Sequence, residues 1–223
     1  MLKIAVRLPG RFEDSGEYLA DARAMDSAGV DALWLDDNGY DRWLLLAAIA
    51  AVSGRARLVA PLLLVPGDST DALKTRVTTL AGLSRKRTTL VIGHAGTESA
   101  LGDLVALARS LEHRVLVEVA NERQARLAAR LADGVVSDDA PEPLKALLGT
   151  LRPEREASGK EPLEVWARVK KMPDDREGWR RMHREYEDAG ATRLVLPFDA
   201  RLLDQLRNGD VEDDRSDLQL AQG

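Results

Sequence analysis

The sequence predicts a closed (β/α)8 barrel, a TIM barrel, on three observations. Short runs rich in valine, leucine and isoleucine alternate with amphipathic stretches along the whole chain, the pattern of a parallel sheet with both faces buried. The alternation completes eight rounds, and right-handed crossovers curl a sheet of that many strands until its edges meet. Neither G-x-G-x-x-G after the first strand nor G-x-x-x-x-G-K followed by Ser or Thr occurs, which argues against the doubly wound open sheet, the other arrangement such an alternation allows.

The strand candidates in order are Lys3 to Leu8, Ala32 to Asp37, Ala56 to Val65, Thr88 to Gly93, Val115 to Ala120, Gly134 to Ser137, Leu163 to Lys170 and Thr192 to Pro197. In the first helical stretch Tyr18, Leu19, Ala22, Met25 and Ala28 recur at spacings of three and four. It opens near Asp14-Ser15 and closes at Gly29; another opens at Asp71 and ends near Ser84. The seventh runs from Asp174-Asp175 to Gly190, where glycine suits a left-handed cap. Two phrases rhyme, Ser27-Ala28-Gly29-Val30 and Asp188-Ala189-Gly190-Ala191, and each reads as a helix end, a tight turn and a strand start. At 223 residues the barrel stands near the lower end of the usual ~200 to 400 residues, so its loops are expected to be short. One domain is expected over 1–207, followed by an acidic, polar tail over 208–223 that reads as frayed.

Composition narrows the function classes. The chain carries a formal charge of −5 with charges of both signs interspersed, and only 4% aromatic residues; it lacks both the basic footprint and the stacking platforms that nucleic acid requires. No uncharged stretch approaches the ~18 residues of a membrane span, so a cytoplasmic protein with no membrane partner is expected. Absence of cysteine removes disulfides, thiolate nucleophiles and cysteine-bound zinc together. The three histidines, His94, His113 and His183, share no ligand spacing, and no metal site is expected.

In a barrel of this kind the strand C-termini carry the chemistry. The residues there are Arg7 and Arg11, then Asp36, Asp37 and Asn38, then His94, Glu118 and Asn121, Ser137, Asp138 and Asp139, Arg168, Lys170 and Lys171, and Asp199. Asp36 and Asp37 can serve acid/base or metal chemistry if unequal burial splits their pKa values. Side chains alternate along a strand, so at most one faces the axis, and one inward with one capping the next helix is the plainer reading. Asp138-Asp139, just before Pro141, reads as a helix cap. His94, between Gly93 and Ala95-Gly96, suits phosphate binding or proton shuttling, or else a loop carbonyl. Arg168, Lys170 and Lys171 form the main cationic group near the mouth, either meeting an anionic ligand or simply solvated. No G-x-S-x-G elbow exists, which argues against a covalent hydrolase.

These strand ends resemble a known family. Ala28-Gly29-Val30-Asp31-Ala32-Leu33-Trp34-Leu35-Asp36-Asp37 resembles the second strand of the bacterial luciferase-like flavin and F420-dependent oxidoreductases, and Arg57-Leu58-Val59-Ala60-Pro61-Leu62-Leu63-Leu64-Val65-Pro66 is similar to their third. Thr79-Leu80-Ala81-Gly82-Leu83-Ser84, Leu127-Ala128-Ala129-Arg130-Leu131-Ala132-Asp133-Gly134-Val135-Val136 and Pro162-Leu163-Glu164-Val165-Trp166-Ala167-Arg168 continue the likeness in the family's order. The resemblance implies a barrel holding FMN or coenzyme F420 at the strand C-termini for hydride transfer or monooxygenation of a small-molecule substrate. It implies Asp37 and Asn38 near the ring, a bulge with a cis peptide at Pro61-Leu62 behind it (or a prolyl cis bond at Ala60-Pro61), and His94 with Arg168 toward the phosphate.

Departures from the family pattern sharpen the expectation. Asn38 stands where many relatives have histidine, His94 where luciferases have a phosphate-binding arginine, and Val119-Ala120-Asn121-Glu122, preceded by Glu118, where a glycine-rich turn often cradles the phosphate. The long family insertion after strand four is reduced to one helix over 97–112, which weakens the seal that oxygen chemistry needs. A catalytically reduced barrel, acting as a flavin or metabolite binder or as a partner subunit, is the alternative. A cofactor-free isomerase or aldolase-like barrel using Asp37 with Lys170 is a third. Apolar surface left by the shortened insertion would be covered in a homodimer.

Overall fold

The computed structural model describes residues 2–35, 40–62, 69–93, 97–199 and 201–208. Strands and helices alternate through them: β1 Lys3–Leu8, α1 Ser15–Ser27, β2 Ala32–Leu35, α2 Arg42–Val52, β3 Arg57–Pro61, α3 Thr70–Leu83, β4 Thr88–Ile92, α4 Glu98–Ser110, β5 Arg114–Glu118, α5 Glu122–Leu131, β6 Gly134–Ser137, α6 Pro141–Ala157, β7 Glu164–Arg168, α7 Arg176–Asp188, β8 Arg193–Pro197 and α8 Arg201–Asn208. The strands pair in parallel in chain order, and β8 returns to β1 with Lys3 opposite Arg193 and Arg7 opposite Pro197. The expected (β/α)8 barrel is therefore the fold. No described helix is long and apolar enough to cross a membrane.

Helix starts follow local chemistry. Asp14, Asp41, Ser69, Thr97, Asn121 and Asp175 each accept from a backbone N–H of the first turn. Every such cap satisfies donors that a helix start otherwise leaves open. The cap of α3 is thus Ser69, just upstream of the expected opening at Asp71. The rhyming phrases prove to be one motif used twice: Gly29 (φ 88°) and Gly190 (φ 96°) close α1 and α7, with Val30 N–H on the Met25 carbonyl and Ala191 N–H on the Tyr186 carbonyl.

Side-chain alternation divides the strands between two cores. Val6, Leu8, Leu33, Leu58, Leu90, Val117 and Leu196 pack with helix residues such as Met25, Ile49 and Val77 outside the barrel. Ala5, Ala32, Trp34, Val59, Val91, Leu116, Val136, Trp166 and Val195 cluster only with one another and fill its axis. Trp34 and Trp166 meet there edge to face, with centroids 6.3 Å apart.

Beneath them an ionic layer closes the N-terminal end. Arg193 donates to Asp31 at 2.6 Å and to Glu164 at 2.9 Å; Arg57, Arg114 and the Trp166 indole also reach Glu164, and Lys3 reaches Asp31. The Arg193 guanidinium lies 5.0 Å from the Trp166 ring centre. Burial pushes the Asp31 carboxyl up, but Arg193 and Lys3 outweigh it and hold the group below its ordinary range.

One expectation about β3 fails. No peptide bond among the described residues is cis, so Ala60–Pro61 and Pro61–Leu62 are both trans. The β3–β4 register runs without interruption from Leu58 opposite Thr88 to Pro61 opposite Val91, and Leu62 N–H still donates to the Val91 carbonyl at 2.7 Å. An unbroken ladder leaves no extra residue to bulge.

Candidate functional site

The C-terminal mouth gathers side chains from strands far apart in the chain. Of the residues expected there, Asp37, Asn38 and His94 lie outside the described residues. Pro61 shares the axis-facing parity of Val59, whereas Leu62 is fully buried in the outer core and faces the helices. Lys170 and Lys171 are exposed, and Lys171 pairs with Asp174 at 3.1 Å. Asn121 is spent on capping α5, and Asp199 pairs with Arg201 at the start of α8, which lowers its pKa.

Arg168 stands at the centre of what remains. Two residues beyond Trp166, it points to the same side of β7, and it projects over the mouth. Its Nε donates to Asp138 Oδ1 at 2.7 Å, its Nη2 to Asp138 Oδ2 at 3.4 Å, and its Nη1 to Glu118 Oε1 at 3.0 Å. The guanidinium also lies 5.7 Å from the Trp34 ring centre. One cation thus ties the ends of β5, β6 and β7 together above the aromatic floor. Arg168 and Glu118 are only 20% and 18% exposed, so water screens them incompletely.

The helix-cap reading of Asp138-Asp139 is overturned. Helix α6 has Ala140 at its cap position, with no side-chain cap, and uses Pro141 in its first turn. Asp138 is drawn away by Arg168, and Asp139 accepts from the Ser137 hydroxyl at 2.7 Å. Two features escaped sequence reasoning: Trp34 as part of the floor, and the joining of Glu118, Asp138 and Arg168 into one cluster. Counting by twos from Ala32 on β2 marks Trp34 as axial; the cluster needs the β5–β6–β7 register, with Glu118 opposite Val136 and Val136 opposite Trp166.

No family model and no curated protein matches the chain. Solved structures do match. An F420-dependent secondary alcohol dehydrogenase in complex with an F420-acetone adduct aligns with a TM-score of 0.75 at 13% identity, covering 95% of this chain and 98% of that one. The coenzyme F420-dependent tetrahydromethanopterin reductase from Methanopyrus kandleri aligns at 0.73 and 11% identity, covering 94% and 97%. Monooxygenase RslO1 from Streptomyces bottropensis aligns at 0.64 and 18% identity, covering 84% and 77%. The chain shares their fold.

The donor chemistry suits the two ends of a flavin-type cofactor unequally. A ring system needs an apolar surface, and Trp34, Val91 and Pro61 supply axial apolar groups on β2, β4 and β3. A phosphate needs unspent N–H donors, but Arg168 has given three of its five N–H groups to carboxylates, and one cation between two anions leaves the cluster negative. As arranged, the β5–β7 side of the mouth disfavours a phosphate.

Proposed function

We propose that the chain is a luciferase-like oxidoreductase that takes FMN or coenzyme F420 at the C-terminal mouth and acts on a small organic substrate. The observation that carries this reading is the match of nearly the whole chain to an F420-dependent dehydrogenase, in a barrel whose strand phrases resemble the same family in the same order. A bound cofactor would supply hydride transfer or oxygen activation, while the protein positions it and excludes water. The test is titration of the purified chain with FMN and with F420. A shifted absorbance band that saturates at micromolar cofactor is expected; no binding of either at high micromolar concentration overturns the reading.

The Arg168 cluster favours a second reading, in which the barrel binds a flavin or metabolite, or serves as a partner subunit, without turning substrate over. Fold alone does not license catalysis. Cofactor binding without any redox turnover across a panel of alcohols, aldehydes and ketones, with reduced cofactor and oxygen present, would favour it.

A further inference from the structure

At the opposite end of the barrel, the starts of β3, β4 and β5 surround a cavity of about 460 Å³. Its walls carry four cationic side chains, Arg57, Lys86, Arg87 and Arg114, against one carboxylate, Glu112, in a chain whose formal charge is −5. Three of the cations have structural duties. Arg57 and Arg114 bridge Glu164, and Arg87 spends its donors on the carbonyls of Ser53, Ala56 and Ser84. Lys86 is exposed and has no ion pair among the described residues.

The backbone around this cavity is unusual. Helices α3 and α4 end in the same hydrogen-bonded motif as α1 and α7, with Lys86 N–H on the Ala81 carbonyl and His113 N–H on the Ala108 carbonyl. Where α1 and α7 place glycine in the left-handed region, these two place Arg85 (φ 54°) with Lys86 (φ 62°), and Glu112 (φ 57°). These are the only non-glycine residues with positive φ among those described, and Lys86 and Glu112 both line the cavity. Glycine would adopt these conformations without strain, so the side chains are kept at a cost to stability.

We propose that this cavity binds a small, multiply charged phosphate compound, with Lys86 as the cation that closes on it and Glu112 as the charge that limits its affinity. Arg114, half exposed, and His113 line the same wall. The site lies across the barrel from the mouth and does not depend on the redox reading.

The test is calorimetric titration of the full chain with inorganic pyrophosphate at low salt, paired with thermal unfolding without ligand. The wild-type chain is expected to bind one equivalent. Lys86→Gly should weaken binding at least tenfold while raising Tm by about 2–4 °C, because it removes the charge and the strain together. Glu112→Gly should raise Tm similarly but tighten binding several-fold. Lys86→Gln, which keeps the strain and loses the charge, should weaken binding without the gain in Tm. Absence of binding at millimolar pyrophosphate, unchanged affinity in Lys86→Gly, or weaker binding in Glu112→Gly would each overturn the proposal.

Discussion

Arg168 and Glu118 meet at 3.0 Å across the mouth of the barrel, one at the end of β7 and the other at the end of β5, with β6 between them. The contact takes up a cation that an anionic ligand would otherwise use. Glu118→Gln should therefore free part of the guanidinium and raise FMN affinity by roughly tenfold, equivalent to about 1.4 kcal/mol. Arg168→Gln should lower it. Fluorescence quenching of the flavin measures both, and an unchanged Kd in Glu118→Gln would show that the phosphate does not approach this side.

The floor of the barrel depends on Arg193 of β8, which joins Asp31, just before β2, to Glu164 of β7. Arg193→Met leaves both part-buried carboxylates short of a partner and should cost about 3 kcal/mol, read from urea unfolding. A loss under 1 kcal/mol would mean that Lys3, Arg57 and Arg114 compensate fully.

Acid should destabilise the fold through two aspartates. Burial raises the pKa of Asp26, yet the N–H groups of Ala56, Gly54 and Arg55 more than reverse this, so it lies below its ordinary 3.8, as does Asp31. A carboxyl lowered on folding contributes stability that is complete above the unfolded value and lost as pH falls through the folded one. Stability should hold down to about pH 5 and decline below 3.8 toward the lowered folded values. Asp26→Asn should flatten that decline and cost about 2 kcal/mol at neutral pH. Unfolding midpoints across pH 3 to 7 test both.

Gly134 opens β6 where a Cβ would fall 2.4 Å from the Glu164 carbonyl oxygen and 2.8 Å from Leu116 Cδ2. Backbone there cannot yield without breaking the β6–β7 ladder. Gly134→Ala should cost at least the ~1–3 kcal/mol typical of overpacking, and a near-neutral Tm would show that the strand can shift.

Much of this was legible in the sequence because it is local. Strand and helix order, the glycine-closed ends of α1 and α7, and the polar residues at the strand ends follow from side-chain period and from capping groups within a few residues of the donors they satisfy. Strand ends were less legible: β7 spans only Glu164–Arg168 where the apolar run predicts Leu163 to Lys170, because pairing with both neighbours, rather than apolar composition, decides where a ladder ends.

The sequence by itself determined the alternation, the helix caps, and that charge would crowd the barrel ends. Tertiary structure alone decided which charges meet. Asp31 and Arg193 are 162 positions apart, and Glu118 and Arg168 are 50 apart. They touch only because eight tilted strands close in one register, and a shift of a single residue would turn each of them to the other face of the sheet.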